Sequence, residues 1–146
     1  DGPWASPDLD DRGWAPIRVP GYWEPQGFAG ADGVGWYRRH VALTAGQTAH
    51  GLVLVLGAVD DLDEAFVNGV RIGGTGDVDA PSIGGDEWPI ERAYRIPASV
   101  LRDGDNVVAV RVYDGLADGG IHRGPVALMT PEAYAERRRR VLGDTR

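Results

Sequence analysis

The segment from residue 57 to residue 69 constrains the fold of this chain more than any other. It reads GAVDDLDEAFVNG, with four acids in five positions before an apolar run that ends on Asn68-Gly69. Both central positions of a two-residue hairpin loop need a positive φ, which Asn and Gly tolerate best. The segment therefore predicts a β-hairpin whose first strand begins at an acidic cluster.

The rest of the chain alternates short apolar segments with turn residues. It contains 22 glycines and 10 prolines but no low-complexity tract, which indicates many turns between short elements. Strands are predicted at residues 34–43, 52–56, 94–96, 106–113 and 126–129. A long loop rich in Gly and Asp is predicted at residues 74–91. Together these patterns predict an all-β sandwich.

The composition excludes several classes of function. The net charge is −7 and the isoelectric point is about 4.8, whereas nucleic acids and anionic membranes bind basic patches. The absence of cysteine excludes disulfides, thiolate metal sites and cysteine nucleophiles. No apolar stretch reaches the roughly 18 residues of a membrane span. We therefore expect neither a nucleic acid nor a membrane as partner.

The sequence leaves the cellular compartment open. It begins with Asp1-Gly2-Pro3, without a signal-peptide pattern, and this start resembles a cut inside a longer protein. Many secreted domains also lack cysteine, so the absence of cysteine does not decide the question. We favour a secreted or periplasmic location over a cytoplasmic one.

The tail differs in character from the rest of the chain. Thr130-Pro131-Glu132 is typical of a helix start, because Thr caps, Pro fits the first position and an acid favours the first turn. Four arginines, at residues 137–140, follow near the other end of this helix. We divide the chain into a sandwich domain at residues 1–129 and a C-terminal helix or linker at residues 130–146.

Seven motifs carry a resemblance to a known family. In chain order they are VPGYWE (19–24), GWYRR (35–39), LGAVDDLD (56–63), VNG (67–69), RAYRIP (92–97), GDNVVAVRV (104–112) and GGIHRGPV (119–126). Over residues 4–129 the chain resembles the sugar-binding domain of glycoside hydrolase family 2, in the version also found in sialate O-acetylesterase-type proteins. The resemblance implies a galactose-binding-like jelly-roll β-sandwich.

The resemblance also implies a function. In such enzymes this domain is non-catalytic, packs on a catalytic domain and lends a loop to the sugar pocket. That loop corresponds to residues 114–122, in which Asp118 is the implied sugar ligand. The expected partners are therefore a catalytic domain, of the same or another chain, and a carbohydrate.

The aromatic residues suggest further sugar contacts. Sugar rings stack on tryptophan through their C–H faces, while their hydroxyls bind carboxylates. Trp88 with Asp86 in the long loop, and Glu24 beside a tryptophan, offer such combinations. His122, in a glycine-rich loop, is a further candidate. Trp4, Trp14, Trp23 and Trp36 lie in or near the family motifs and are predicted to pack in the core.

The acidic cluster has two interpretations. Hard cations such as calcium bind carboxylate oxygens, and alternation along a strand places Asp61 and Asp63 on one face and Asp60 and Glu64 on the other. The interpretation that we favour is ion pairing with arginines such as Arg38 or Arg92. We expect no cofactor, with a structural calcium as the open alternative.

Catalytic chemistry is disfavoured. The three serines, at residues 6, 82 and 99, lie outside any Gly-x-Ser-x-Gly elbow, and the three histidines show no metal-ligand spacing. No pair among the 22 acids stands out as a glycosidase pair. The leading hypothesis is a non-catalytic accessory domain of a carbohydrate-active enzyme. The alternatives are an autonomous carbohydrate-binding module and a small glycoside hydrolase.

Overall fold

The computed structural model describes residues 3–87 and 89–143 of the chain. Its elements in chain order are β1 (Gly33–Leu43), α1 (Ala45–Thr48), β2 (Leu52–Asp60), β3 (Leu62–Val67), β4 (Val70–Thr75), β5 (Glu91–Ile96), β6 (Gly104–Asp114), β7 (Gly120–Arg123), β8 (Ala127–Met129) and α2 (Pro131–Gly143). Short 3₁₀ turns lie at Pro3–Ala5, Glu24–Gln26 and Ala98–Val100. Among the described residues, no helix is long and apolar enough to cross a membrane.

The predicted hairpin is confirmed. β3 and β4 are antiparallel and are joined by Asn68 and Gly69, whose φ angles are 50° and 82°. The Asn68 side chain also anchors the turn, because its Oδ1 accepts the N–H of Val107 and its Nδ2 donates to Val100 O. The turn is therefore fixed both by its backbone and by bonds to neighbouring segments.

The strands form two antiparallel sheets. One has the strand order β1-β6-β3-β4, and the other has the order β5-β2-β7 with β8 also paired to β2. The core between them is built mainly from β2, β3 and β6, with every residue of β2 from Leu52 to Val59 buried. The predicted all-β sandwich of jelly-roll type, with a short C-terminal helix, is confirmed.

The C-terminal helix starts where the sequence predicts it. Thr130 Oγ1 accepts the N–H of Ala133 at 3.1 Å, as an N-cap does. The helix is tied to the sandwich by Arg137, whose Nη1 lies 2.5 Å from Oε1 of Glu91. The division of the chain at residue 129 remains a prediction.

The expectation that four tryptophans lie in the core holds only in part. Trp23 is buried, with 6% exposure, and Trp36 is half-buried. Trp4 and Trp14 are exposed by 45% and 36%, so the prediction is wrong for them. They lie on a segment that crosses the outer face of the first sheet, where the rings of Trp4 and Trp36 are tilted by 58° with centroids 6.0 Å apart.

Candidate functional site

Three strand ends and two loops meet at one end of the sandwich. Asp60 ends β2 and pairs with Gly120 at the start of β7, while β6 ends at Asp114. The segment at residues 21–24 is attached to the same place, because Trp23 N–H donates to Gly119 O and Gly21 N–H donates to Ile121 O. Loop side chains from four parts of the sequence therefore converge here.

Tyr22 and His122 form the aromatic part of this end. Their rings are parallel within 3°, with centroids 5.0 Å apart, and both side chains are half-buried. Burial raises the pKa of Tyr22, and the charges of Asp60, Asp118 and Glu24 act in the same direction. These carboxylates therefore lie close enough to Tyr22 to influence its ionisation.

Glu24 is held in place by the loop before β7. Both of its carboxylate oxygens accept the N–H of Gly119, at 2.9 and 3.1 Å. A Cβ at residue 119 would lie 2.6 Å from Oδ2 of Asp114 and 2.6 Å from a ring carbon of Trp23, so this close packing requires glycine. The structure thus brings Glu24, Asp118 and His122 together around Tyr22.

An acidic trio adjoins this aromatic pair. Asp60, Asp61 and Asp114 each offer a carboxylate oxygen, and these oxygens lie within 4.8 Å of one another. Asp114 is fully buried and Asp61 is 8% exposed, whereas Asp60 is half-buried. Oδ2 of Asp61 accepts the N–H of Gly115 at 3.1 Å, and Oδ1 of Asp114 accepts that of Leu116 at 3.1 Å.

Burial, together with the proximity of like charges, raises the pKa of two members of the trio. Burial raises the pKa of Asp60 to about 8, reinforced by the hydrogen bond and the charge of Asp61. Burial likewise raises the pKa of Asp114 to about 6, against the effect of the Leu116 N–H. Oxygen ligands of this kind suit a hard cation.

Alternation along the strand gave a wrong arrangement for these acids. It placed Asp60 and Asp61 on opposite faces, but Asp61 lies between β2 and β3 and its side chain meets that of Asp60. Asp63, the other metal candidate, lies apart from the trio in a buried pair with Arg92, with Nε 2.8 Å from Oδ1. Arg38 pairs instead with Asp11, at 2.8 Å.

The long loop reaches the same end, although its predicted ligands are not placed there by any described contact. Nη2 of Arg123 donates to Pro89 O at 2.8 Å, and the Ile83 side chain packs on Gly115. Asp86 is exposed within this loop. Trp88 lies outside the described residues. Both remain predicted sugar ligands.

Three residues of this end were not identified as site residues from the sequence: Tyr22, Asp60 and Asp114. Tyr22 and Asp114 are separated by more than ninety positions, and Asp60 was assigned to the wrong face. One available signal was the end of the strand predicted at residues 106–113. Asp114 directly follows that strand and precedes the glycine-rich loop, where strand ends and loops form sites.

Two depressions border this region. A groove of about 260 Å³ is lined by residues that include Phe28, Val34 and Trp36. A second depression, of about 690 Å³, adjoins Tyr22 and includes Arg18 and Arg39. Tyr22 thus lines an open depression at the surface.

Comparisons with known proteins place the fold. No protein-family model and no curated protein matches the chain, but solved structures do. A β-glucuronidase of Bacteroides uniformis is 23% identical with a TM-score of 0.66, over 83% of this chain and 15% of that one. A family 2 glycosyl hydrolase from Bacteroides cellulosilyticus is 22% identical with a TM-score of 0.62, over 81% and 17%. The chain has the fold of one part of these glycosidases.

The same similarity extends to other glycosidases. A β-glycosidase from Bacteroides vulgatus is 22% identical with a TM-score of 0.63, over 86% of this chain and 17% of that one. The resemblance found in the seven sequence motifs is therefore confirmed at the level of the fold. The chain spans only 15% to 17% of the length of these enzymes. The similarity to sialate O-acetylesterase-type proteins remains a prediction.

Proposed function

We propose that this chain is a non-catalytic accessory domain of a family 2 type glycosidase, which packs on a catalytic domain and presents the Tyr22 end to a glycan. The observation that carries this proposal is the asymmetry of the structural match. More than four fifths of this chain superposes on less than a fifth of each enzyme. Most of each enzyme, and room for a separate catalytic domain, therefore lies outside the shared part.

The geometry of the trio argues against glycoside hydrolysis by these three carboxylates. Glycosidases place their two carboxyl groups about 5 to 9.5 Å apart, on opposite sides of the scissile bond. The trio oxygens lie within 4.8 Å of one another, and Asp61 and Asp114 are buried. A sugar ring has no room between them, so the shifted pKa values of Asp60 and Asp114 do not amount to a catalytic pair.

An exposed apolar surface supports the packing role. Trp14, Phe28 and Val34 are exposed by 36%, 39% and 48%, and the last two line the 260 Å³ groove together with Trp36. Clustered apolar side chains at the surface of a soluble domain commonly mark an interface. This surface is the one that we assign to the catalytic partner.

The Tyr22 end supports the glycan contact. The stacked rings of Tyr22 and His122 offer an apolar face, and Glu24 and Asp118 supply hydrogen-bond acceptors next to it. Ligand sites combine apolar walls with a few placed polar groups in this way. The carboxylates favour sugars with neutral hydroxyl groups as ligands.

Two assays of the 146-residue chain test the proposal. Incubation with a panel of nitrophenyl glycosides should release no nitrophenol, and sustained turnover would show that the chain is an enzyme. Titration with glucose, galactose and mannose, followed by ¹H–¹⁵N NMR, should shift the amides of Gly119, Gly120 and His122 at millimolar sugar. If these amides do not move for any sugar, the glycan contact is rejected.

Matched variants assign the contact. His122→Ala and Asp118→Asn should weaken the sugar-induced shifts. Asp103→Asn makes the same change of charge at the opposite end of β6 and should leave them unchanged. Micromolar affinity would instead favour the autonomous binding module, because an accessory domain relies on its catalytic partner for most of the contacts.

A further inference from the structure

The acidic trio is short of positive charge. Asp60, Asp61 and Asp114 bring three carboxylates within 4.8 Å. Arg92 lowers the pKa of Asp60, but none of the side-chain hydrogen bonds that it makes to described residues goes to a carboxylate of the trio. Its Nε donates to Oδ1 of Asp63, its Nη2 to Asp61 O, and its Nη1 to carbonyl oxygens of the long loop.

One of these carboxylates carries a buried oxygen with no partner. Oδ1 of Asp114 accepts the N–H of Leu116, but Oδ2 accepts no hydrogen bond from any described residue, and Asp114 has 0% exposure. A buried carboxylate oxygen without a hydrogen-bond donor destabilises the fold unless a ligand satisfies it. This observation concerns the hydrogen bonds of a single atom and is separate from the clustering of the acids.

We propose that Asp60, Asp61 and Asp114 form a calcium-binding site at this end of the sandwich. Calcium–oxygen distances of about 2.3 to 2.6 Å allow two ligand oxygens to be up to about 5 Å apart, which matches the spacing of the trio. Magnesium requires near-ideal octahedral geometry and gives up its water ligands reluctantly, so a site of several protein carboxylates suits calcium better. Half-buried Asp60 leaves one side open for the water ligands that complete a calcium shell.

The site has a structural consequence. It links the end of β2, the residue between β2 and β3, and the end of β6. The loop that begins at Asp114 carries Asp118 towards Tyr22, so a bound cation fixes the start of the glycan-facing loop. The inference rests on the clustering of the trio and on the unpartnered Oδ2 of Asp114, and it does not depend on sugar binding.

Calcium titration of the 146-residue chain, after removal of metals with EDTA, tests the proposal. Isothermal titration calorimetry should show one calcium ion per chain, with a Kd on the order of 10⁻⁴ to 10⁻³ M, as in extracellular modules. Saturation should raise Tm, and magnesium at the same concentration should raise it less. ¹H–¹⁵N NMR should show the largest shifts at Gly115 and Leu116.

Three near-isosteric variants locate the ion. Asp60→Asn and Asp114→Asn should each lower calcium affinity by about tenfold or more, and Asp103→Asn at the other end of β6 should not. Far-UV circular dichroism checks that each variant is folded. If Asp114→Asn fails to fold, Asp60→Asn still decides, because Asp60 is half-buried and less packed.

Two results would overturn the site. One is the absence of heat and of any Tm change up to about 10 mM calcium, well above the range of extracellular sites; the trio would then hold a shared proton and no cation. The other is binding that survives unchanged in both trio variants, which would put the ion elsewhere. Repeating the sugar titration in EDTA separates this proposal from the glycan contact, since either can fail alone.

Discussion

Asp63 and Arg92 form a buried ion pair that joins the two sheets, with Nε 2.8 Å from Oδ1 and both side chains fully buried. Asp63 lies on β3 and Arg92 on β5, which belong to different sheets. The other carboxylate oxygen of Asp63 accepts the hydroxyl of Tyr94 at 2.6 Å. The guanidinium also donates to Asp61 O at 2.7 Å, so the pair supports the segment that carries Asp60 and Asp61.

Asp63→Asn should destabilise the fold strongly. The substitution leaves the guanidinium of Arg92 buried without a counter-charge, and breaking a buried pair in this way costs about 3 to 5 kcal/mol. Urea denaturation measures the free energy of unfolding. The control is Asp10→Asn, because Asp10 pairs with Arg12 at the surface. Removing this exposed pair should leave the free energy of unfolding unchanged within experimental error. Equal effects in the two variants would contradict the structural role of the buried pair.

Asn68→Gly should also destabilise the fold, even though glycine suits the turn better than asparagine. The φ of 50° is retained, but three side-chain hydrogen bonds to Val100, Asn106 and Val107 are lost. At about 1 kcal/mol for each bond, the loss should be about 2 to 3 kcal/mol.

Asn68→Asp provides the matched variant for this turn. It keeps the acceptor for the Val107 N–H but loses the two hydrogen bonds that Asn68 Nδ2 donates, so its free energy of unfolding should be lower than that of the wild type. Urea midpoints compare all three proteins. Wild-type stability in Asn68→Gly would mean that the backbone angle alone accounts for asparagine at this position.

The sequence was a good guide where structure is set by neighbouring residues. Asn68-Gly69 forms its hairpin, and the segment predicted at residues 106–113 forms β6 with one or two residues added at each end. Thr130 caps its helix as predicted. Each of these depends on backbone preferences and on alternation of side chains over a few residues.

The sequence was a poor guide where distant segments meet. The contact of Tyr22 with His122 joins residues one hundred positions apart, and no local pattern encodes it. Alternation failed at Asp60 because the chain leaves β2 there before it enters β3. The sequence predicted an ion pair between the acidic cluster and an arginine such as Arg92. It did not predict that Asp63 would be the partner, because that choice depends on how the two sheets face each other.

Gly57→Ala should be one of the most damaging glycine substitutions in the chain. Gly57 has a φ of 61°, and a Cβ there would lie 1.7 Å from the carbonyl oxygen of Arg123. Backbone would have to move at the junction of β2 with β7, so we expect a loss of more than about 2 kcal/mol. Gly13→Ala is the control, because no atom of the residues that the structure describes lies within 4 Å of its added methyl group. Similar urea midpoints for the two variants would contradict this packing.

Protonation of His40 should fasten the N-terminal segment to the sandwich. Nδ1 of His40 lies 3.0 Å from Oδ2 of Asp105 on β6, and Nε2 lies 2.9 Å from Oδ2 of Asp11 on that segment. The hydrogen bond to Asp105, followed by that to Asp11, raises the pKa of His40 above its ordinary value of 6.5. A raised histidine pKa stabilises the fold fully below the unfolded-state value, and this contribution is lost as pH rises through the folded-state value.

Comparison of the wild type with His40→Gln at several pH values tests this link. Asp60 and Asp114 also titrate in this range, but they do so in both proteins, so their contribution cancels in the difference in Tm. The wild type should have the higher Tm at about pH 5.5, and the difference should shrink towards about pH 9, where the imidazole is neutral. Limited proteolysis after Arg12, measured as the rate in the wild type relative to that in His40→Gln at the same pH, should follow the same trend and rise towards high pH. A Tm difference that does not change with pH would show that His40 acts through packing and not through its charge.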